Sequence, residues 1–397
     1  MLPGCGGGSG STTTTVPPTQ LSCSLQVEAF DPPAPGDGDW NAFQNYILNN
    51  TAIHGVDLVI PWNTVETSQG QYASGLAALD TLIANYSGKT INLIFQPISY
   101  SNINNAPGGV NSMTPSYVFT TSWASSLIPP SPPQDVTYCS DYPGSTGSTL
   151  AYANANTAGF DPTGYPVVYE APFAVAYQNF ISAVLQHYKG NSNIGYMRFG
   201  LSVGNETSAY CEGELQQLPA PNTFVVPSTW KNWISTMDTF EKSAEPSPSI
   251  QLMQSLNELG GDGNTDMPDF EAATAVSEGF GFGNNGLQKS DISASASNQP
   301  CTGDWCSMFD QYAGQVPLEL QEADPSDPSG ADPNNATGNL ANLIPLAVQH
   351  HATILEVLKQ DLYLAYDPNY VPTYQGDLSY SGAYATALNS PCTASTQ

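Results

Sequence analysis

The chain has 397 residues, 40% of them hydrophobic, which suits one large barrel or two ordinary domains and excludes wholesale disorder. It carries 35 acidic and only 7 basic side chains, a formal charge of −28, although charged residues make up just 11% of the total. The acidity therefore comes from missing Lys and Arg, and such a surface repels nucleic-acid phosphates and anionic lipid while leaving a neutral, hydroxyl-rich partner unopposed.

Residues 1–20 read as a flexible tether, in which Met1-Leu2-Pro3-Gly4-Cys5 is followed by Gly, Ser and Thr as far as Thr15. Leu2-Pro3-Gly4-Cys5 resembles the lipobox of bacterial lipoproteins, without the charged and apolar regions of a signal peptide ahead of it. That resemblance implies lipidation of Cys5; the alternative is an ordinary low-complexity tail. No run of 18 or more apolar residues is present, so membrane contact is expected only through such an anchor. Setting Cys5 aside leaves six cysteines, an even number that fits an oxidising, extracytoplasmic compartment. Pairs Cys301–Cys306, Cys139–Cys211 and Cys23–Cys392 are one connectivity among several, and buried free thiols are the alternative.

From residue 21 to 397 no second linker interrupts the chain, and a single domain is expected. Eight strand-like runs follow in order: Leu25–Phe30, Val56–Pro61, Ile91–Ile98, Ile194–Val203, Ile250–Leu256, Gly279–Phe282, Val316–Gln321 and Thr353–Val357. The sixth is the weakest, being short and Gly-rich. Helical patterns fall between and after them: Trp40–Leu48; Leu76, Leu79 and Ile83; the stripe Phe173, Tyr177, Phe180, Val184 and Tyr188; then Trp230–Phe240, Phe270–Val276, Trp305–Tyr312, Leu340–Val348 and Gly382–Leu388. Eight such pairs predict an α/β fold, a closed (β/α)8 TIM barrel with a long loop after strand 3. No Gly-x-Gly-x-x-Gly follows the first strand, which argues against a dinucleotide-binding sheet. The loop after strand 3 is rich in Pro, Ser and Gly and carries Tyr100, Tyr117, Trp123, Tyr138, Tyr142 and Tyr165. On a barrel's C-terminal face such rings suit sugar faces, or they pin the loop to the barrel.

Strand 4 reads Arg198-Phe199-Gly200-Leu201-Ser202-Val203-Gly204-Asn205-Glu206. Period-two alternation turns Phe199, Leu201 and Val203 towards the helices and Arg198, Gly200, Ser202, Gly204 and Glu206 into the lumen. With Asn205-Glu206 closing that strand, the chain resembles the clan of retaining (β/α)8-barrel glycoside hydrolases (clan A-like). The resemblance implies that Glu206 is the catalytic acid/base and that Asn205 contacts a sugar hydroxyl. Trp62-Asn63-Thr64-Val65-Glu66 followed by Gly70-Gln71-Tyr72 is a second point of resemblance, with Thr67 where the clan usually has Pro; it implies that Trp62 lines the cleft while Glu66 is structural. The clan's nucleophile ends strand 7, here Pro317-Leu318-Glu319-Leu320-Gln321-Glu322. Alternation points Glu319 and Gln321 into the lumen, so Glu319 is preferred; Glu322 has the clan's spacing from Pro317 and is the alternative.

Other polar residues crowd the same mouth: Gln96 at the end of strand 3, Asn257 and Glu258 after strand 5, Glu356 at the end of strand 8, and Glu28 and Asp31 flanking the end of strand 1. Gln96, Gln321, Asn257 and Glu356 are the expected sugar contacts. With seven basic residues in the whole chain, most of these acids have no cation to pair with and should raise one another's pKa, a route to a protonated general acid. Walker loop, Gly-x-Ser-x-Gly elbow and His-Glu-x-x-His are absent, and four scattered histidines build no metal site, so neither cofactor nor metal is expected. The expectation is a monomeric hydrolase acting on a carbohydrate. A glycan-binding surface lipoprotein on a degenerate barrel, and a structural surface protein, are the rivals.

Overall fold

The computed structural model describes residues 23–98, 113–119, 122, 123, 127, 136–138, 150–152, 168, 169, 171–202, 207, 227–256, 266–289 and 304–396. Eight strands build the centre: β1 (Gln26–Phe30), β2 (Ile53–Pro61), β3 (Thr90–Gln96), β4 (Ile194–Phe199), β5 (Gln251–Leu256), β6 (Gly281–Leu287), β7 (Leu318–Glu322) and β8 (Ile354–Leu358). Each pairs in parallel with its neighbours in sequence. The pairing of β1 with β8, Gln26 opposite Ile354, closes the ring. The helices are α1 (Trp40–Phe43, continuing as a π-helical turn Gln44–Leu48), α2 (Ala73–Ala84), α3 (Ala171–His187), α4 (Pro227–Ala244), α5 (Asp266–Glu278), α6 (Asp304–Tyr312), α7 (Leu340–Gln349), α8 (Lys359–Tyr366) and α9 (Ser381–Asn389). The fold is the (β/α)8 barrel that the alternating pattern predicts.

Alternation sorts the strands into two surfaces. Val27, Ala29, Leu58, Ile60, Leu93, Phe95, Met197, Phe199, Leu355 and Val357 turn outwards and join the helices in one continuous core. Its densest part is aromatic. Phe95 stacks on Phe199 with ring centroids 5.1 Å apart, and Trp62 packs against Phe173, Tyr177 and Phe180 of α3. A second core lies under α5 and α6, built on Leu256, Phe282 and Leu318 with Met308 and Phe309. The inward surface carries a small apolar cluster of Ile94, Tyr196, Met253 and Ile354 with Phe30 against it. Everything else that matters in the lumen is polar.

Several elements depart from the sequence expectations. β4 stops at Phe199 rather than Val203 because its neighbours run out: β3 ends at Gln96, and pairing with β5 ends at Arg198 opposite Met253. β6 is longer than expected and extends to Leu287, with a register shift between Asn284 and Leu287. Helix α8 follows β8 at once and was not expected. The long connection after β3 also has structure of its own, a 3₁₀ turn Ser116–Phe119 and an antiparallel pair Val136–Tyr138 with Leu150–Tyr152.

Of the three expected disulfides, Cys23–Cys392 is formed, tying the approach to β1 to the C-terminal turn across 369 residues of chain. Cys5, Cys139, Cys211, Cys301 and the side chain of Cys306 lie outside the described residues. Among the described residues no helix is long and apolar enough to cross a membrane.

Candidate active site

The lumen is crossed by one chain of hydrogen bonds. Asn92 on β3 donates its amide to Glu28 Oε2 on β1 and to Asp57 Oδ1 on β2, each at 2.6 Å. Tyr196 on β4 places its hydroxyl 2.5 Å from Glu356 Oε1 on β8 and 3.1 Å from Asp57 Oδ1. Arg198, two residues further along β4 and so on the same face, brings Nη2 to 2.5 Å from Glu319 Oε2 on β7 and 2.6 Å from Glu356 Oε1. All three side chains of this last group are 0% exposed. Five of the eight strands thus meet on four carboxyls and one guanidinium, and Asn92 adds a sixth.

Space for the carboxyls comes from glycines. A β-carbon on Gly55 of β2 would stand 2.9 Å from Glu28 Oε1, and one on Gly283 of β6 would overlap the Glu319 carboxylate. This is why β6 reads as a poor strand: Gly281 leaves room for Met253 of β5 and Gly283 for the Glu319 carboxylate of β7.

One cation cannot neutralise four carboxylates out of water. Burial, with Glu356 and Glu319 adding repulsion, pushes Glu28 up to about 8 against the opposing hydrogen bond from Asp57. Burial and the Glu28 and Glu356 carboxyls push Asp57 well above the usual carboxylate range. Burial likewise raises Glu319, opposed by Arg198, whose own proton is held more tightly by Glu319 and Glu356 despite its burial. Burial therefore favours the protonated forms of Glu28, Asp57 and Glu319, the state a general acid requires.

The two glutamates of β7 part company. Glu319 points into the lumen, as alternation predicts. Glu322 does not. Its Oε2 accepts the Leu358 N–H at 2.7 Å, and it lies beside Asp361 in the first turn of α8, which in turn holds the Ser326 backbone N–H at 2.9 Å and the Ser326 hydroxyl. Burial and the adjacent Asp361 raise Glu322 well above its ordinary range, and burial lifts Asp361 to about 6. These two carboxyls link β7 to α8, so Glu322 lies apart from the lumen cluster that holds Glu319.

Two expected sugar contacts are also relocated. Trp62 is fully buried in the aromatic core, its indole N–H donating to Glu66 Oε2 at 2.9 Å, so it lines no cleft. Glu66 further accepts the Gly70 N–H and the Tyr117 hydroxyl, and Tyr117 meets Trp123 edge-on; these two rings of the long connection pin it to the barrel. Glu356 is fully buried on Arg198, out of contact with solvent. Gln321 faces the lumen at the end of β7, 9% exposed, and Gln96 is partly exposed at the end of β3. Glu206, Asn205, Asn257, Glu258, Tyr100, Tyr142, Tyr165 and the side chain of Tyr138 lie outside the described residues. Sequence reasoning gave no role to Asp57, Asn92 or Tyr196. Asp57 carried a signal, being the single acid in the apolar run Val56–Pro61.

Among the described residues no three His, Cys, Asp or Glu side chains are grouped to hold a metal ion. No family model matches the chain, and no characterised protein matches it by sequence. Solved structures do. The catalytic domain of β-amylase from Paenibacillus polymyxa superposes with a TM-score of 0.56 at 11% identity, covering 92% of this chain and 99% of that one. The likeness is one of fold. Endo-glycoceramidase II from Rhodococcus sp. gives 0.48 at 12% identity over 90% of this chain and 77% of its own. A glycosylated endo-β-1,4-xylanase from Gloeophyllum trabeum gives 0.45 at 13% identity over 91% and 96%.

Proposed function

We propose that this chain is an exported, monomeric glycoside hydrolase that cleaves O-glycosidic bonds with retention, using Glu206 as acid/base and Glu319 as nucleophile. One observation carries the reading. Arg198 of β4 and Glu319 of β7 are joined at 2.5 Å, so the two strands to which the sequence resemblance assigns the catalytic carboxyls are tied across the lumen. The barrel shared with a β-amylase catalytic domain supports it at the level of fold. In this scheme Glu206 protonates the leaving oxygen, ionised Glu319 attacks the anomeric carbon, and water, deprotonated by Glu206, releases the sugar. Retention asks for a carboxyl separation of roughly 5–5.5 Å. Gln96, Gln321, Asn205 and Asn257 are proposed sugar contacts. The Cys23–Cys392 disulfide supports an oxidising exterior, with Cys5 as the proposed lipid attachment.

Full burial of Glu319 and Glu356 favours a second reading, a glycan-binding barrel without turnover. Release of reducing ends and aryl leaving groups across pH 3–7 separates the two. Glu206→Gln and Glu319→Gln should each lose about a hundredfold or more in kcat. An unchanged Glu206→Gln rate removes the acid/base assignment. A wild-type chain that binds oligosaccharide and never cleaves it establishes the second reading.

A further inference from the structure

We propose that Glu322 and Asp361 form a proton-held latch between β7 and α8, closed while the pair keeps a proton and released as rising pH removes it. The inference stands apart from the glycan reading, because it concerns the rim of the barrel whatever enters the lumen.

The hydrogen bonds around the pair fix where the proton sits. The Leu340 N–H, at the start of α7, donates to the Tyr384 hydroxyl of α9 at 2.9 Å. The Ser326 hydroxyl donates to Asp361 Oδ1, so the 2.6 Å contact between Tyr384 and Ser326 is donated by the tyrosine. The Ser326 N–H fills Asp361 Oδ2 at 2.9 Å, and the Leu358 N–H fills Glu322 Oε2 at 2.7 Å. Those donors are then spent, yet Glu322 and Asp361 also hydrogen-bond each other. Carboxylates only accept, so a bond between two of them exists only while one carries a proton. Glu322 Oε1, which receives no donor from the described residues, is the place for it.

No cation stands in for that proton. Both side chains are buried, and among the described residues neither is in an ion pair with Lys, Arg or His. The other titratable groups about them add negative charge or none. Asp377, with Asp327 beside it, faces Asp361 from the 3₁₀ turn Gln375–Tyr380, and Tyr370 and Tyr384 are phenols that burial holds above their usual range. Burial raises both acids of the pair, so the folded chain binds the proton more tightly than the unfolded one and the latch weakens as pH rises. Without the proton, two like charges face each other out of water.

The consequence is mechanical. α8 begins on the residue after β8 and is held on another side by Asp39, which pairs with Lys359 at 3.1 Å and meets the Tyr363 hydroxyl at 3.3 Å. Loss of the proton breaks the attachment to β7 and spares the one to Asp39. α8 then turns away from β7 and from Gln321, the lumen-facing neighbour of Glu322 in the chain.

Amide hydrogen exchange of the intact chain at about pH 6 and about pH 9, expressed as protection factors, tests this. The amides of Ser326 and Leu358 are the reporters, and that of Gly200, bonded to the Phe95 carbonyl at 2.9 Å, is the reference. In the wild type the reporters should lose at least about tenfold in protection between the two pH values, and the reference much less. Glu322→Gln offers an amide N–H to Asp361 and a carbonyl to Leu358 at any pH, so its reporters should keep their protection. Asp361→Asn, whose amide can donate to an ionised Glu322, should keep it too, and decides the matter if the first variant does not fold. Wild-type reporters that only follow the reference, or a folded variant that loses as much protection as the wild type, overturn the latch.

Discussion

Carboxyl groups are buried on both sides of the barrel wall, and the two sides treat them differently. Inside, Glu28, Asp57, Glu319 and Glu356 share one guanidinium, one amide and one phenol. Outside, Asp238 and Glu241 stand one turn apart on α4, facing Tyr177 of α3 and Gln254 of β5. Gln254 donates to Asp238 Oδ1 at 2.9 Å. Asp238 Oδ2, both oxygens of Glu241 and the Tyr177 hydroxyl have no hydrogen-bond partner. Among the described residues no cation forms an ion pair with either acid. Burial pushes Asp238 up, with Glu278 adding to it, and burial followed by Asp238 pushes up Glu241. A carboxyl in such surroundings keeps its proton. The lesson is that burial raises the acids on both sides, but Arg198 opposes it at Glu319 inside, whereas among the described residues no cation opposes it at Asp238 and Glu241 outside.

The most damaging way to break that contrast is to remove the cation. Arg198→Met strands Glu319 and Glu356 without a counter-ion and should cost about 3–5 kcal/mol, read from urea denaturation at pH 7. Adding Glu319→Gln and Glu356→Gln to that variant should recover part of the loss. A penalty under about 1 kcal/mol would mean that the lumen carboxyls are already protonated and need no cation.

The next effect is pH-dependent and comes from both sides. Glu28 is raised to about 8 and Asp361 to about 6 in the folded chain. For a group raised on folding, the native state binds the extra proton, so stability falls as pH rises. The Asp361 contribution is complete below about pH 4 and lost by about pH 6; that of Glu28 is lost between about pH 4.5 and about 8. Stability should therefore be greater at pH 5 than at pH 8 by on the order of a few kcal/mol, and the melting temperature correspondingly higher. Glu28→Gln should flatten the upper part of the curve. A midpoint that rises towards pH 8 would contradict protonated acids in the lumen.

How much of this was legible in the sequence depends on whether the deciding contact is local. Alternation along β4 and β7 correctly sent Arg198 and Glu319 inwards and Phe199, Leu318 and Leu320 outwards, because a strand's two faces follow from its backbone alone. Glu322 was offered by the spacing from Pro317 and not by alternation; its surroundings are decided by Leu358 and Asp361, from β8 and from a helix the sequence did not announce. Trp62 was decided at a distance too. An aromatic just past a strand fits a cleft or a core equally well, and only the arrival of Phe173, Tyr177 and Phe180 from α3, more than a hundred residues on, makes it core. Gly281 and Gly283 of β6 looked like weakness because their purpose, room for Met253 and Glu319, belongs to neighbouring strands.

The smallest expected effect is the sharpest test of the outer pair. If Glu241 is already protonated, Glu241→Gln exchanges one neutral, near-isosteric group for another. Both leave polar atoms without partners in the same space, so stability at pH 5 should change by less than about 1 kcal/mol. Above the pKa that Glu241 would have in the unfolded chain, the wild-type protein must keep a proton that its denatured state gives up, and the amide need not. The variant should therefore gain on the wild type as pH rises from 5 to 8, a crossing visible in paired melting curves. The matching change inside, Glu319→Gln, has the opposite sign at every pH where Glu319 is ionised, because it takes a counter-charge from Arg198. If the two substitutions behave alike, the barrel wall does not separate neutral acids from charged ones, and the case for a chemically poised lumen loses its electrostatic footing.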